Sequence, residues 1–210
     1  MRPLCVFDLD HTLVRSPLDL GRLKVEIRAL VEAEGVPLPE ATRTWTIGQI
    51  IAAATAHRTT LGDDCWALCE THEEDAVAEA SPEPGAQEAL TALRTAGYPL
   101  AVWTNNTDPI ARRALARCQL DPFFTTVVTR DQAALKPDPA GLRILEAAFP
   151  ERRIWVVGDS WVDGAAAQAG GAAFIAYGAD PAELARRGVA PRTVLRDLRQ
   201  LPEWLRTAAW

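Results

Sequence analysis

The chain has 210 residues, of which 48% are hydrophobic, and a formal net charge of −6 at pH 7, so it can bury one core with a modest insertion and is a poor match for a nucleic-acid backbone. No apolar run approaches the ~20 residues that a membrane-spanning helix needs, and the first apolar run starts too early to leave room for a signal peptide. Four scattered cysteines do not suggest a disulfide framework, so we expect a cytoplasmic protein. From the net charge and the short apolar runs, we expect neither a nucleic-acid nor a membrane partner.

The first predicted strand, over 3–7, is followed at once by Asp8 and Asp10. Residues i and i+2 leave a strand in the same direction, so both carboxylates can face one cavity. Two carboxylates that close repel each other unless a cation or a shared proton relieves them. The pair therefore favours a metal ligand or nucleophile beside a proton carrier, with an aspartate-rich turn as the plainer alternative.

Residues 17–81 form a predicted helical insertion. Apolar residues at helical spacing predict three helices, over 18–31, 40–58 and 61–80. The Pro- and Gly-rich stretch 81–85 then returns the chain to the core. Trp45 and Trp66 lie on these helices, where they either line a substrate pocket or pack in a core.

Three later strand-like runs, over 100–103, 125–129 and 153–157, also end in polar residues. These residues are Thr104 and Asn105 after the first run, Lys136 after the second, and Asp159 and Asp163 after the third. Helix-length stretches separate the runs, which predicts an α/β fold with a doubly wound parallel sheet. Because ligands of such sheets bind at the carboxyl ends of the strands, we expect all these side chains to form one site.

The last part of the chain predicts a fifth strand over 172–176 and helices over 181–187 and 197–205. Trp210, at the end of the printed sequence, either docks on the surface or supports a dimer. The sequence leaves open whether the protein is a monomer or a homodimer.

The four polar motifs in this order resemble the haloacid dehalogenase superfamily, with Asp8 and Asp10 as the first, Thr104 as the second, Lys136 as the third, and Asp159 and Asp163 as the fourth. The resemblance implies a Rossmann-like core over 1–16 and 82–210. It also implies a small α-helical cap over 17–81, as in the phosphoglycolate phosphatase-like branch, although these helices could instead cover a sheet edge. His11 departs from the family, in which a glycine is frequent at this position.

The resemblance also implies roles for the catalytic residues. Asp8 would attack phosphorus and form an aspartyl-phosphate, and Asp10 would give a proton to the leaving group and later take one from water. Lys136 would hold a positive charge against the transferring phosphoryl group. Thr104, through its hydroxyl, and Asn105, through its backbone N–H, would bind phosphate oxygens together with Lys136.

A magnesium ion is the implied cofactor, because hard cations prefer oxygen ligands and the aspartates outnumber the lysine. Its implied ligands are Asp8, the backbone carbonyl of Asp10 and Asp159. Asp163 would lie behind the metal and hold a metal-bound water or Lys136.

The predicted function is a magnesium-dependent phosphomonoesterase that acts on a small phosphorylated metabolite. Asp10 favours phosphoryl transfer over carbon–halogen cleavage, since a departing halide needs no acid. A phosphotransferase or sugar-phosphate mutase of the same fold is the alternative enzyme, and a catalytically silent binding protein is the alternative outside catalysis. Arg15, at the entrance to the insertion, either contacts an anionic leaving group or is a solvated arginine.

Overall fold

The structure is a computed structural model that describes residues 1–38 and 45–208. Its strands, in chain order, are β1 (Leu4–Phe7), β2 (Val14–Arg15), β3 (Ser81–Pro82), β4 (Leu100–Trp103), β5 (Thr126–Val128), β6 (Ile154–Gly158), β7 (Ala173–Tyr177) and β8 (Thr193–Leu195). Its α-helices are α1 (Leu20–Ala33), α2 (Ile47–His57), α3 (Thr59–Ala78), α4 (Ala86–Thr95), α5 (Asp108–Arg117), α6 (Ala140–Ala148), α7 (Trp161–Ala169), α8 (Pro181–Arg186) and α9 (Leu201–Thr207).

Six parallel strands form one sheet in the order β5-β4-β1-β6-β7-β8. Strand β1 lies between β4 and β6, and Cys5 is in register with Leu100 on one side and Trp155 on the other. Chain order runs outward from β1 in both directions, so the topology reverses there and a crevice forms at the carboxyl ends of β1, β4 and β6. This architecture confirms the predicted doubly wound parallel sheet.

Apolar side chains from the sheet and its helices form the core that holds these strand ends in place. Trp103 of β4 and Val156 of β6 pack with Leu142 and Leu145 of α6 and with Phe174 of β7. All five residues of β6 are buried, as are all five of β7. Continuous burial is typical of parallel strands covered by helices on both faces, which explains why these runs are recognisable in the sequence.

Residues Pro17–Glu79 form a second compact unit, distinct from the unit of Met1–Ser16 and Ala80–Trp210. In it, α1, α2 and α3 surround a buried cluster that includes Ile27, Ile50 and Leu61. Trp45 and Trp66 are partly buried against this cluster. A cap over 17–81 stays a prediction, and in the structure Ser81 belongs to the sheet-containing unit, where it pairs with Arg15 between β2 and β3.

Several boundaries differ from the predicted ones. The second helix begins at Ile47, where a capping box between Thr46 and Gln49 satisfies its first backbone groups, and residues 40–44 of the predicted helix lie outside the described residues. At the other end, a 3-10 turn over Leu198–Gln200 precedes α9, which begins beside a proline. Trp210 also lies outside the described residues.

Within residues 1–38 and 45–208, no helix combines the length and apolarity needed to cross a membrane.

The core predicts a strong contrast between two neighbouring positions of α6. Leu145 is fully buried against the sheet, whereas Ile144 is 36% exposed. We expect Leu145→Ala to lower the free energy of unfolding by about 2–5 kcal/mol, because it leaves a cavity in a packed core. Ile144→Ala removes a side chain of the same size and should cost less than about 1 kcal/mol. Urea unfolding of both variants measures the difference, and equal losses would contradict this description of the core.

Candidate active site

Lys136 is the centre of the polar cluster at the strand ends. Its Nζ donates hydrogen bonds to Oδ1 of Asp8 at 2.6 Å, Oδ1 of Asp163 at 2.5 Å and the carbonyl oxygen of Trp103 at 2.9 Å. These bonds use all three donors of the ammonium group. Burial alone would lower the pKa of Lys136, but the charges of Asp163 and Asp8 raise it above its usual value. The lysine therefore stays charged while only 4% exposed.

Asn105 fixes the backbone of Lys136. The Lys136 N–H donates to Oδ1 of Asn105 at 2.8 Å, and Nδ2 of Asn105 donates to the Lys136 carbonyl at 3.2 Å. This pair of bonds joins the loop after β4 to the loop after β5. The sequence prediction gave Asn105 a backbone role toward phosphate, and the structure adds a side-chain role toward the lysine.

Three carboxylates, those of Asp8, Asp159 and Asp163, lie with one oxygen of each within 4.8 Å of the others. Burial raises the pKa of Asp8 to about 7, with Lys136 opposing the shift and Asp163 adding to it. Burial, followed by repulsion from Asp163 and Asp8, raises the pKa of Asp159 to about 8. The cluster thus has three carboxyl groups against one lysine, and burial together with repulsion favours the protonated form of two of them.

Asp163 is held on both of its oxygens. Its Oδ1 accepts from Lys136, while its Oδ2 accepts from the hydroxyl of Ser160 at 2.5 Å and from the Ser160 N–H at 3.2 Å, as part of a capping box at the start of α7. Gly158 lies directly against this carboxylate, and a Cβ at that position would collide with it. Asp163 is therefore a fixed partner of Lys136, and its oxygens are less available to a metal than those of Asp159.

The donor set of this cluster fits a divalent cation. Carboxylate oxygens are the ligands that hard cations such as Mg²⁺ prefer. A cation would offset the burial of charge and the repulsion that together raise the pKa of Asp159. The family-implied ligands Asp8 and Asp159 are both in the cluster. Asp10 lies two residues beyond Asp8 on the same loop.

Asp10 is contacted by two residues that the sequence prediction did not single out. Nδ2 of Asn106 donates to Oδ2 of Asp10 at 2.7 Å, and the hydroxyl of Ser16 donates to Oδ1 at 3.2 Å. Burial raises the pKa of Asp10, and the bonds from Asn106 and Ser16 oppose that shift. Asn106 was visible as a polar residue at the same strand end as Thr104, but nothing in the sequence pointed to Ser16.

Thr104 is 2% exposed, and its Oγ1 accepts the backbone N–H of Asn106 at 3.1 Å. The hydroxyl hydrogen of Thr104 remains a donor in addition to this bond. Thr104 and Asn105 precede α5, whose first turn lies just beyond them. The structure thus brings the second motif to the same strand ends as the first, third and fourth.

A cavity of about 290 Å³ opens beside Asp159, and it is lined by His11, Arg15, Glu83, Asp159, Tyr177, Gly178 and Arg196. Glu83 accepts two hydrogen bonds from Arg15, at 3.2 and 3.3 Å, and one from the hydroxyl of Tyr177 at 2.8 Å. Burial and the Glu83 charge raise the pKa of Tyr177 above its usual value. Arg15 is therefore paired with a carboxylate at the cavity wall, a role the sequence had not predicted.

His11 has a φ of 57°, in the left-handed region. Glycine adopts that conformation without steric cost, and histidine is one of the few other residues that adopt it more often than average. The departure of His11 from the glycine frequent in the resembled family is therefore compatible with the turn between Asp10 and β2.

Comparisons with known proteins point to one family. The family of haloacid dehalogenase-like hydrolases matches residues 5–177. A phosphoglycolate phosphatase of Cereibacter sphaeroides is 35% identical over 83% of this chain and 84% of its own length, and one of Rhodospirillum rubrum is 32% identical over 95% and 89%. The crystal structure of a hydrolase from Pseudomonas syringae covers 99% of this chain and 100% of its own, with a TM-score of 0.70 and 23% identity. These findings confirm the resemblance inferred from the four motifs, and the chain belongs to the haloacid dehalogenase-like hydrolases.

Proposed function

We propose that the protein is a phosphomonoesterase that hydrolyses a small phosphorylated metabolite through an aspartyl-phosphate on Asp8. The buried contact between the Lys136 ammonium and Asp8 carries this proposal, because it places a fixed positive charge beside a nucleophilic carboxylate. The relatives named phosphoglycolate phosphatase support the same class of reaction.

The chemistry divides between Asp8 and Asp10. A carboxylate oxygen of Asp8 attacks phosphorus, the bond to the ester oxygen breaks, and Asp10 gives that oxygen a proton so that a neutral alcohol leaves. Water then attacks the aspartyl-phosphate while Asp10 takes its proton, which restores Asp8 and releases phosphate. Proton transfers of this kind are typically worth ~10²–10⁴ in rate.

Phosphate oxygens would be bound by the hydroxyl of Thr104, the backbone N–H of Asn105 and the ammonium of Lys136. The first two lie just before α5, and the N-terminus of a helix favours an anion. Lys136 faces the same group from the loop after β5 and reduces the repulsion between the carboxylates and phosphate.

Mg²⁺ is the proposed cofactor, with Asp8, Asp159 and the backbone carbonyl of Asp10 as its ligands and Asp163 behind them. When bound, it would neutralise the excess carboxylate charge and the charge of the incoming phosphate. The clustering of Asp8, Asp159 and Asp163 supports this choice.

The substrate is a small phosphate ester, and phosphoglycolate is the first candidate because of the names of the relatives. The cavity of about 290 Å³ beside Asp159 has room for a small polar leaving group. Arg15, Arg196 and His11 supply its hydrogen-bond donors. A cap formed by 17–81 that covers this site stays a prediction.

Replacing the nucleophile tests the mechanism. We expect Asp8→Asn to lower phosphate release by at least about 10³-fold, since an amide cannot form the acyl-phosphate. Release is measured with Mg²⁺ across a panel of small esters that includes phosphoglycolate. Asp63→Asn, which changes an exposed carboxylate on α3, should leave the rate unchanged.

Full activity in Asp8→Asn would contradict the proposal. An enzyme that releases no phosphate but becomes labelled on Asp8 by an ester would instead be a phosphotransferase waiting for its acceptor. A protein that binds esters without turnover or labelling would be the silent binding protein.

Metal binding has a readout that does not depend on turnover. We expect Mg²⁺ to raise the melting temperature, because a ligand that binds only the folded state stabilises it increasingly as the free ligand concentration exceeds the dissociation constant. The shift should disappear in Asp159→Asn, which removes an oxygen ligand, and persist in Asp63→Asn. Differential scanning fluorimetry with and without EDTA measures it, and an unchanged shift in Asp159→Asn would count against the proposed ligand set.

A further inference from the structure

Asn106 donates the shorter of two side-chain hydrogen bonds to Asp10, and it has no role in the proposed reaction. Its Nδ2 lies 2.7 Å from Oδ2 of Asp10, whereas the hydroxyl of Ser16 lies 3.2 Å from Oδ1. We propose that Asn106 is a positioning residue for Asp10, an inference that rests on the proposed function. It holds Oδ2 in place and leaves Oδ1 as the oxygen that exchanges a proton with the leaving group.

The side chain of Asn106 is well fixed for this role. Its backbone N–H donates to Oγ1 of Thr104 at 3.1 Å, and its carbonyl accepts from the N–H of Arg130 at 3.1 Å. The residue is only 6% exposed. A buried amide with its backbone held on both sides has little freedom to turn, so the hydrogen bond to Asp10 is organised before substrate arrives.

The two partners of Asp10 differ in what they can do. The NH₂ of an asparagine only donates, so Oδ2 must remain an acceptor in both protonation states of Asp10. A serine hydroxyl both donates and accepts, and can therefore turn to suit Oδ1 with or without its proton. The two contacts together favour Oδ1 over Oδ2 as the oxygen that carries the proton.

This arrangement matters in one step of the reaction. As the bond from Asp8 to phosphorus forms and the bond from phosphorus to the ester oxygen breaks, the Oδ1 proton passes to that oxygen, and Asp10 is left as a carboxylate. An alkyl leaving group needs that proton, because an alkoxide is a poor leaving group. A nitrophenolate leaves without that proton, so the rate at which it departs depends little on the orientation of Asp10.

The test compares kcat/KM of Asn106→Ala on the best alkyl phosphate of the panel and on p-nitrophenyl phosphate. This ratio covers the steps up to phosphoryl transfer to Asp8, so hydrolysis of the shared intermediate does not enter. We expect a loss of roughly 10- to 100-fold on the alkyl ester, the size of one hydrogen bond to a charged group, and less than about threefold on the aryl ester. Equal losses on both esters would overturn the role.

Asn105→Ala is the matched control, since it removes the neighbouring amide. Asn105 holds Lys136, whose charge faces the phosphoryl group common to both esters. We expect this variant to lower kcat/KM by a similar factor on both. If Asn105→Ala also lowers kcat/KM only on the alkyl ester, disturbance of the loop causes the selectivity and the contact with Asp10 does not. That result would overturn the role.

A double-mutant cycle isolates the pair. With phenyl phosphate, whose leaving group is intermediate, Asn106→Ala should lower kcat/KM in the wild-type background and have no further effect in Asp10→Ala. A further loss in that background would overturn the role. If Asn106→Ala does not fold, Asn106→Leu keeps the volume without the donor and must show the same selectivity.

Ser16→Ala gives a second comparison within the same contact. It removes the longer, 3.2 Å bond, and we expect it to have the same selectivity with a smaller loss. A larger loss than in Asn106→Ala would overturn the assignment of Oδ2 as the held oxygen. If the wild-type protein hydrolyses no ester, the proposed function fails and this role fails with it, whereas an active wild type with an unselective Asn106→Ala removes only the role.

Discussion

The buried ammonium of Lys136, shared between Asp8 and Asp163, is the interaction on which the rest of the site depends. A charge removed from water is stable only when its partners are close and all its donors are used, and Lys136 meets both conditions. The same interaction keeps two carboxylates of the acidic cluster next to each other. Removing the lysine would leave them buried with no positive charge between them.

The sheet explains why residues so far apart in the chain meet. Strands β1, β4 and β6 are short apolar runs buried on both faces, and each is followed by polar residues at the same edge of the sheet, next to β1 where the strand order reverses. That regularity made the sheet predictable from the sequence, together with the meeting of Asp8, Lys136 and Asp163. An apolar run that is followed by polar residues indicates both a buried strand and the point where the strand ends.

Other features depend on contacts that leave no trace in local sequence. Ser16 and Glu83 are ordinary residues at the edges of turns, and only the pairing of β2 with β3 and the position of Tyr177 bring them to the site. Strand β8 was missed because it has three residues, of which only Leu195 is fully buried. Helix boundaries shifted where caps and prolines, rather than apolar spacing, decide the first turn.

The loop after β4 contains both residues whose place in the site the sequence predicted and contacts that only the structure shows. The side-chain amide of Asn105 is hydrogen-bonded to the backbone of Lys136, and that of Asn106 donates to the carboxylate of Asp10. The hydroxyl oxygen of Thr104 accepts the backbone N–H of Asn106. Two adjacent residues on one loop therefore hold Lys136 and Asp10, the groups proposed to bind phosphate and to protonate the leaving group. A rearrangement of this loop would disturb both groups together, so in the proposed reaction the position of the phosphate-binding charge and that of the proton donor depend on one local structure.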